Sequence, residues 1–192
     1  AEGKFFINID HHVSNSGFGD VRLVRPDASA SGEIVYEILE ALGVDITLEI
    51  ATCLYVAVVT DTGGFRYQNI TGACLRVAAA LLDKGVAAWS IAEHVFETRS
   101  VSSVLLLASA LSTLKLHRRG KVASIVVTKE MMKAAGASPD ETEGIIGYPR
   151  SLTGVEVALL FKEDPQGRGF HVSMRSRSKV DVAEVAVSLG GG

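Results

Sequence analysis

Three consecutive residues with metal-binding side chains, Asp10, His11 and His12, directly follow an apolar run. The run, residues 5–9, has the composition of a buried strand, so the triplet is predicted to lie where that strand meets a loop. Histidine and aspartate are ligands of divalent transition metals, and adjacent histidines beside a carboxylate are costly to bury unless they bind something. The triplet therefore indicates a candidate metal site.

A second carboxylate, Asp61, has the same setting. It follows residues 54–60, an apolar and partly β-branched run that predicts a second strand. If both strands lie parallel in one sheet, Asp10, His11 and Asp61 meet at its carboxyl edge, where open α/β sheets bind ligands. An Asp-Thr-Gly sequence is also typical of a turn or helix cap, and this alternative stays open.

The composition limits the classes of protein to which the chain can belong. The chain has 192 residues, of which 47% are hydrophobic and 21% charged, as in a folded globular domain. A net charge of −3 gives no global argument for nucleic-acid binding, so a nucleic acid would need a local patch or bound metals. No run reaches the roughly 20 apolar residues of a membrane span. Cys53 and Cys74 lack metal-ligand spacing and are expected to be buried thiols, which favours a cytoplasmic location.

The order of predicted elements changes along the chain. Residues 1–97 alternate strands with helices, which predicts an α/β domain with a mostly parallel sheet. Its main helices are expected at 33–42 and 73–83. Residues 98–119 are predicted to form an exposed connecting helix, because apolar residues keep a helical spacing until a basic cluster and Gly120 close it. Residues 120–192 predict a smaller α+β domain. Its expected elements are strands at 122–127, 155–161 and 170–174 and helices at 129–135 and 181–189. The turn at 164–167 predicts that the last two strands form a hairpin.

Four segments together resemble a known family, the DHH phosphoesterases, in particular the nanoRNase (oligoribonuclease) and 3′-phosphoadenosine 5′-phosphate (pAp) phosphatase branch. They are Ile9-Asp10-His11-His12, Pro26-Asp27-Ala28-Ser29-Ala30-Ser31, Thr60-Asp61-Thr62-Gly63-Gly64-Phe65-Arg66-Tyr67, and Met174-Arg175-Ser176 with Val180-Asp181-Val182 and the glycines 190–192. The resemblance implies a parallel-sheet DHH domain followed by a DHH-associated domain that binds substrate.

The resemblance also implies roles for individual residues. His11 and Asp61 would bind metal, and Asp10 and His12 would take part in catalysis, His12 by contacting the scissile phosphate. The expected cofactors are two Mn²⁺ or Mg²⁺ ions. The residues implied to bind substrate are Arg66, Arg175, Ser176, Gly190, Gly191 and Gly192. For Arg66 and Arg175 a solvated surface charge, and for the glycines a helix cap, remain alternatives.

Three parts of the family pattern are not found in the chain. They are the His-x-Asp-x-Asp cluster of the first strand, the following motif that supplies another Asp ligand, and the histidine expected after Gly192. We therefore expect the chain to be a fragment that is inactive alone. The implied partner is a short RNA or nucleotide phosphate, without a membrane, and a homodimer is an open alternative. Other functions that stay open are a cyclic-di-AMP phosphodiesterase, an exopolyphosphatase and a non-catalytic nucleotide-binding module.

Overall fold

The computed structural model describes residues 4–177 and 179–191. The chain divides between Thr98 and Arg99 into two compact units, each with its own hydrophobic core. Both units combine helices with a sheet, which confirms the predicted α/β class. Within the described ranges, no helix is both long and apolar enough to cross a membrane.

The first unit joins a two-stranded parallel sheet to a group of helices. Its elements are β1 (Ile7–Asp10), β2 (Val21–Val24), α1 (Ser31–Ala41), α2 (Leu48–Asp61), α3 (Gly72–Asp83), α4 (Ala88–Ala92) and a π-helical segment (Glu93–Glu97). In the sheet, Ile7 pairs with Val21 and Asp10 with Val24, although the sequence analysis does not predict β2. β1 contacts α1, α1 packs on α2, and α2 packs on α3. The predicted helices at 33–42 and 73–83 are confirmed as α1 and α3.

The predicted strand at 54–60 is wrong, because these residues belong to α2. The buried positions of α2 are Ala51, Leu54, Tyr55, Val58 and Val59, which is the i, i+3, i+4, i+7, i+8 spacing of one helix face. A nearly continuous apolar run fits a buried strand and a buried helix alike, so periodicity alone did not separate them. The Thr47 hydroxyl caps the helix by accepting a hydrogen bond from the Ile50 backbone N–H at 3.4 Å.

The second unit is built on a four-stranded sheet in the order β3-β4-β5-β6. Its elements are α5 (Val101–Leu111), β3 (Lys115–His117), β4 (Val122–Val127), α6 (Lys129–Ala135), a 3₁₀ turn (Pro139–Thr142), α7 (Gly147–Ser151), β5 (Val157–Glu163), β6 (Phe170–Ser176) and α8 (Val182–Ser188). β4 and β5 are parallel, whereas β3 and β6 are antiparallel edge strands. The predicted β5–β6 hairpin is confirmed, and a hydrogen bond from the Gly167 N–H to the Asp164 carbonyl closes its turn at 2.9 Å.

The connecting helix predicted at 98–119 is wrong in extent and in exposure. α5 ends at Leu111, and residues 115–117 form β3. The Thr113 hydroxyl donates to the Ala110 carbonyl at 2.7 Å and accepts from the Val126 N–H at 2.8 Å, so the chain turns into the sheet. The predicted basic helix end is the β3–β4 turn, in which Arg118, Arg119 and Gly120 all have positive φ. Leu106 and Ala110 of α5 are fully buried in the core of this unit.

Candidate metal site

The Asp10 carboxylate organises the turn that follows β1. Asp10 is the last residue of the strand, and its Oδ1 accepts the backbone N–H groups of His11 at 2.7 Å and His12 at 3.2 Å. Such a side-chain-to-backbone turn fixes the direction in which the chain leaves the strand. The strand end therefore places both imidazoles beside the same carboxylate.

Asp10 is also hydrogen-bonded through its side chain on both oxygens. The Asn15 amide donates to Oδ2 at 2.6 Å, and His12 Nδ1 lies 2.7 Å from Oδ1. These bonds, Asn15 first and His12 second, hold the pKa of Asp10 well below its usual range, although partial burial opposes them. Asp10 is thus an anion that orients His12, as carboxylates behind metal-binding histidines do.

The sequence analysis missed Asn15 as part of the site. Its amide exchanges two hydrogen bonds with the amide of Asn8, at 3.0 and 3.1 Å, and Asn8 is almost fully buried within β1. A buried amide needs partners of this kind. An asparagine inside an apolar strand was the sequence signal that could have indicated a polar network here.

Asp61 reaches this group from the end of a helix. As the last residue of α2, it places its Oδ2 3.4 Å from Nε2 of His11. The His11 side chain is 14% exposed and that of Asp61 is 41% exposed. The structure therefore brings together the residues that the sequence analysis expected to meet, although a helix rather than a strand delivers the carboxylate.

A network of hydrogen bonds that runs from the surface to a buried carboxylate holds the backbone of Asp61. The Asn69 amide donates to the Asp61 carbonyl at 3.2 Å and to the Ser29 carbonyl at 2.9 Å. The Ser29 hydroxyl donates in return to the Asn69 carbonyl at 2.6 Å, and the Ser29 N–H donates to the buried Glu33 carboxylate at 3.0 Å. The N-cap position of α1 belongs to Ala30, so Ser29 is not the capping residue of this helix. The network ties the end of α2 to the start of α1.

The loop after Asp61 is tightly wound. Gly63, Gly64 and Phe65 all have positive φ, and the buried Thr62 hydroxyl accepts the Phe65 N–H at 3.2 Å. Arg66 Nε donates to the Gly63 carbonyl at 2.6 Å, and its guanidinium carbon lies 5.4 Å from the centre of the Phe96 ring. Part of its hydrogen-bonding capacity is thus used inside the unit, and phosphate binding by Arg66 stays a prediction.

The donor set fits a divalent transition metal. Potential ligand atoms of Asp10, His11 and His12 lie within 4.8 Å of one another, and imidazole with carboxylate is a common combination for such ions. Two donors of one ion, each about 2.1 Å from it, are roughly 3.0–3.5 Å apart. The 3.4 Å between His11 and Asp61 matches this spacing. His11 and Asp61 are the residues that could hold a metal, and Asp10 is engaged in supporting bonds.

In the second unit, the residues predicted to bind substrate differ in orientation. Arg175 and Ser176 are adjacent on β6, so they face opposite sides of the sheet. Arg175 is exposed and lines a cleft of about 370 Å³, while its Nη1 donates to the Met174 carbonyl at 3.0 Å. Ser176 is partly buried and pairs with Val157 on β5. Only Arg175 of this pair lines the cleft.

The predicted glycine loop is hydrogen-bonded to the C-terminal end of α8. The N–H groups of Gly190 and Gly191 donate to the carbonyls of Val187 and Ala186, at 3.0 and 2.9 Å. With φ of +79° at Gly190, this is the usual glycine termination of a helix, so both donors are already used. Substrate binding by these glycines stays a prediction, and Gly192 lies outside the described residues.

The fold and the donor group define an α/β protein with an imidazole–carboxylate site at a strand end. No family model matches the chain. It is 37% identical, over 98% of its length, to the bifunctional oligoribonuclease and PAP phosphatase NrnA of Thermus thermophilus, of which it covers 56%. It is 26% identical, over 92% of its length, to the protein of the same name from Bacillus subtilis, again covering 56%.

Among solved structures, the chain resembles an exopolyphosphatase-related protein from Bacteroides fragilis, with a TM-score of 0.88 and 30% identity. That match covers 94% of this chain and 53% of the other. These comparisons confirm the resemblance to the DHH family. It spans a little over half the length of each of these relatives.

Proposed function

We propose that this chain is part of a metal-dependent phosphoesterase that hydrolyses short 5′-phosphorylated oligoribonucleotides and pAp. The single observation that carries the proposal is the 3.4 Å approach of His11 Nε2 to Asp61 Oδ2 beside the hydrogen-bonded Asp10–His12 pair. Support comes from the names of the relatives from Thermus thermophilus and Bacillus subtilis, which describe both activities.

In this proposal His11 and Asp61 hold a divalent cation, Mn²⁺ or Mg²⁺. A bound cation of this kind polarises a phosphoryl oxygen and lowers the pKa of bound water, which generates a nucleophile at neutral pH. With further ligands a second ion would complete a two-metal site. Metal identity and number are thus part of the proposal.

The side chains of the strand end have distinct tasks. Asp10 fixes the His12 ring through Nδ1, and Nε2 of this histidine can donate a hydrogen bond to a phosphate oxygen when it carries a proton. The His12 side chain is 67% exposed and therefore accessible to substrate. Hydrogen bonds from Asn15 and from the backbone N–H groups of the turn hold the Asp10 carboxylate in place, so Asp10 keeps His12 oriented.

Metal binding by the chain tests the first step. Titration calorimetry with Mn²⁺ should show binding that Asp61→Asn and His11→Ala each weaken by more than about tenfold, as expected for the loss of a ligand. His94→Ala is the matched control, because His94 lies in the same unit and its Nδ1 contacts the Ser90 carbonyl at 2.7 Å. Unchanged affinity in Asp61→Asn, with an unaltered circular-dichroism spectrum, would contradict the metal site.

Hydrolysis should be assayed in a protein of the relatives' full length that carries this chain, with Mn²⁺ and either pAp or a short 5′-phosphorylated RNA. Asp61→Ala is expected to reduce turnover of both substrates by about a thousandfold or more, because a metal contributes several kcal/mol to the transition state. Near-normal turnover by this variant would refute the assignment.

An exopolyphosphatase is a second candidate, favoured by the name of the Bacteroides fragilis structure. Polyphosphate carries neither ribose nor base. If the protein hydrolyses polyphosphate faster than pAp at equal concentration, this second candidate replaces the first.

A further inference from the structure

The charge of the chain is divided unevenly between its two units. Residues 1–98 carry 13 Asp or Glu against 6 Lys or Arg, a net charge of −7, whereas residues 99–192 carry 9 against 13, a net charge of +4. The overall charge of −3 therefore hides a basic second unit. Such an asymmetry within one chain is typical of proteins whose basic part contacts nucleic acid or another polyanion.

Much of this basic charge is concentrated around one turn of the sheet. Residues 99–129 contain six Lys or Arg and no Asp or Glu. Four of these cations lie on β3 or in the turn between β3 and β4, and we call them the basic turn: Lys115, Arg118, Arg119 and Lys121. All four are exposed, and no carboxylate of the described part of the chain lies within 4.0 Å of their charged groups. Their charge is thus available to an anionic partner.

The backbone of the basic turn is strained. The Gly120 N–H donates to the His117 carbonyl at 3.0 Å, and the two residues between them, Arg118 and Arg119, have φ of +52° and +54°. A two-residue hairpin turn of this kind needs positive φ at both central positions, and asparagine followed by glycine meets that need most easily. An arginine at either position brings its Cβ too close to the backbone. Because such strain is concentrated at functional sites, the two arginines indicate a role in binding rather than in folding.

The basic turn is separate from the residues that the family resemblance implies for substrate binding. The strand order is β3-β4-β5-β6, so Arg175 on β6 lies two to three strand spacings from the turn, which is at least about 10–14 Å. One phosphate group cannot contact both places. A partner of the turn is therefore a different molecule or a distant part of a longer chain of phosphates.

Single-stranded RNA fits the basic turn better than a lipid surface does. An RNA strand presents a phosphate at every nucleotide, and the arginine fork matches the geometry of a phosphate group. Arginine also stacks on the bases that a single strand exposes. The tip of the turn, residues 118–120, has no apolar side chain that could enter a lipid layer, and the nearest exposed apolar residue, Leu116, lies back on β3.

We propose that the basic turn binds the phosphate backbone of single-stranded RNA, at nucleotides that are distant from the scissile phosphate. The inference rests on the proposed function, because it concerns how the same enzyme holds an oligoribonucleotide longer than a dinucleotide. The scissile phosphate stays at the His11–Asp61 site, and the turn adds affinity that increases with the length of the RNA. The shortest substrates, pAp and dinucleotides, gain nothing from it.

RNA binding by the chain in the presence of EDTA tests the proposal without turnover. Fluorescence anisotropy is measured with a 3′-labelled, 5′-phosphorylated oligouridylate of about ten nucleotides and with the corresponding dinucleotide. The unaltered chain should bind the longer RNA more tightly. Arg118→Asn/Arg119→Gly should weaken that binding by about tenfold and leave the dinucleotide affinity unchanged. The slope of log affinity against log salt should decrease by about 1.4, since each lost phosphate contact contributes roughly 0.7 for a single strand.

The same double variant separates binding from folding. Asparagine and glycine adopt positive φ with less strain than arginine, so the midpoint of urea unfolding should rise while the RNA affinity falls. Arg118→Lys/Arg119→Lys keeps both the charge and the strain, and it should bind the longer RNA nearly as well as the unaltered chain. Arg168→Gln/Lys133→Gln is the matched control, because it removes the same charge from two exposed residues of this unit. Arg168 lies in the β5–β6 turn, at the opposite end of the sheet, since β4 and β5 are parallel.

Three results would overturn the RNA site: an equal loss of RNA affinity in the matched control, an unchanged salt slope in Arg118→Asn/Arg119→Gly, or no dependence of affinity on RNA length in the unaltered chain. Binding to vesicles of phosphatidylserine and phosphatidylcholine, lost in the same variant while RNA does not bind, would assign the turn to a membrane surface instead. None of these results concerns the His11–Asp61 site. The Mn²⁺ titration of Asp61→Asn decides that site separately, so the two proposals can fail independently.

Discussion

Truncation of Leu106 should destabilise the second unit far more than truncation of its neighbour Leu105. Leu106 is fully buried on α5, in one cluster with Ile125, Val127 and Leu160. Leu105 lies on the same helix but is 51% exposed. The pair compares two leucines that share helix, sequence context and substitution, so the difference between them reports burial alone.

The expected magnitudes follow from the exposed fractions. Replacement by alanine removes three carbon atoms, which is about 2.4 kcal/mol of transfer free energy for a fully buried side chain. The cavity left at Leu106 adds a further cost, for a total of about 3–5 kcal/mol. At Leu105 only about half of the transfer term applies and no closed cavity remains, so about 1 kcal/mol is expected.

Hydrogen exchange followed by mass spectrometry is the appropriate assay, because it reports each unit separately. In Leu106→Ala, amides of β4 and β5 should exchange about a hundredfold faster or more, since each 1.4 kcal/mol is a factor of ten. Amides of α3 in the first unit serve as the internal reference and should be unaffected. Equal and small effects of the two variants would refute the burial argument and restore α5 as an exposed connecting helix.

Two further predictions concern pH and backbone conformation. Hydrogen bonds from Ser100, then from Ser102 and the Ser138 N–H, lower the pKa of Glu141 from 4.5 to about 2, so its ionised form stabilises the second unit at neutral pH. This stabilisation should be lost as the pH falls from about 4.5 toward 2, so the thermal unfolding temperatures of Glu141→Gln and of the unaltered chain should converge over this range. A constant difference between the two unfolding temperatures across this pH range would contradict the assignment. In urea unfolding, Gly63→Ala should lower the free energy of unfolding by about 1 kcal/mol more than Gly43→Ala does. Both glycines have positive φ, but only at Gly63 would the new methyl group lie 2.3 Å from the Tyr67 ring. Equal costs would show that the ring moves away freely.

The sequence predicted those elements whose ends carry a local signal. Thr71 marks the start of α3, and its hydroxyl accepts the Cys74 N–H at 3.0 Å, as a helix cap should. Gly136 ends α6 with a positive φ, as is typical of a glycine that directly follows a helix, here the helix predicted at 129–135. Where the pattern was a long apolar run, as at 54–60 and 100–116, helix and strand could not be distinguished, because tertiary packing decided between them.

The candidate site was predictable in its main residues and not in its supporting ones. Asp10, His11 and Asp61 were recognisable because charged or ionisable groups directly follow apolar runs. Asn15 and Asn69 had no such signal, because their importance depends on partners that are distant along the chain or brought close by a turn. Supporting contacts of this kind depend on the three-dimensional path of the chain, which the hydrophobic periodicity of a sequence does not reveal.

Asp61 lies at the carboxyl end of a helix of 14 residues, and this position has an electrostatic consequence. The carbonyl end of a helix carries a partial negative charge, so an ionised carboxylate there is unfavourable by roughly 0.3–1 kcal/mol. A cation held by Asp61 would remove this repulsion and add the attraction of the helix end. Metal binding should therefore raise the melting temperature of the first unit, and Asp61→Asn should raise it without metal while abolishing the further gain from Mn²⁺. In this arrangement the charge of Asp61 slightly lowers the stability of α2, and a bound cation restores it.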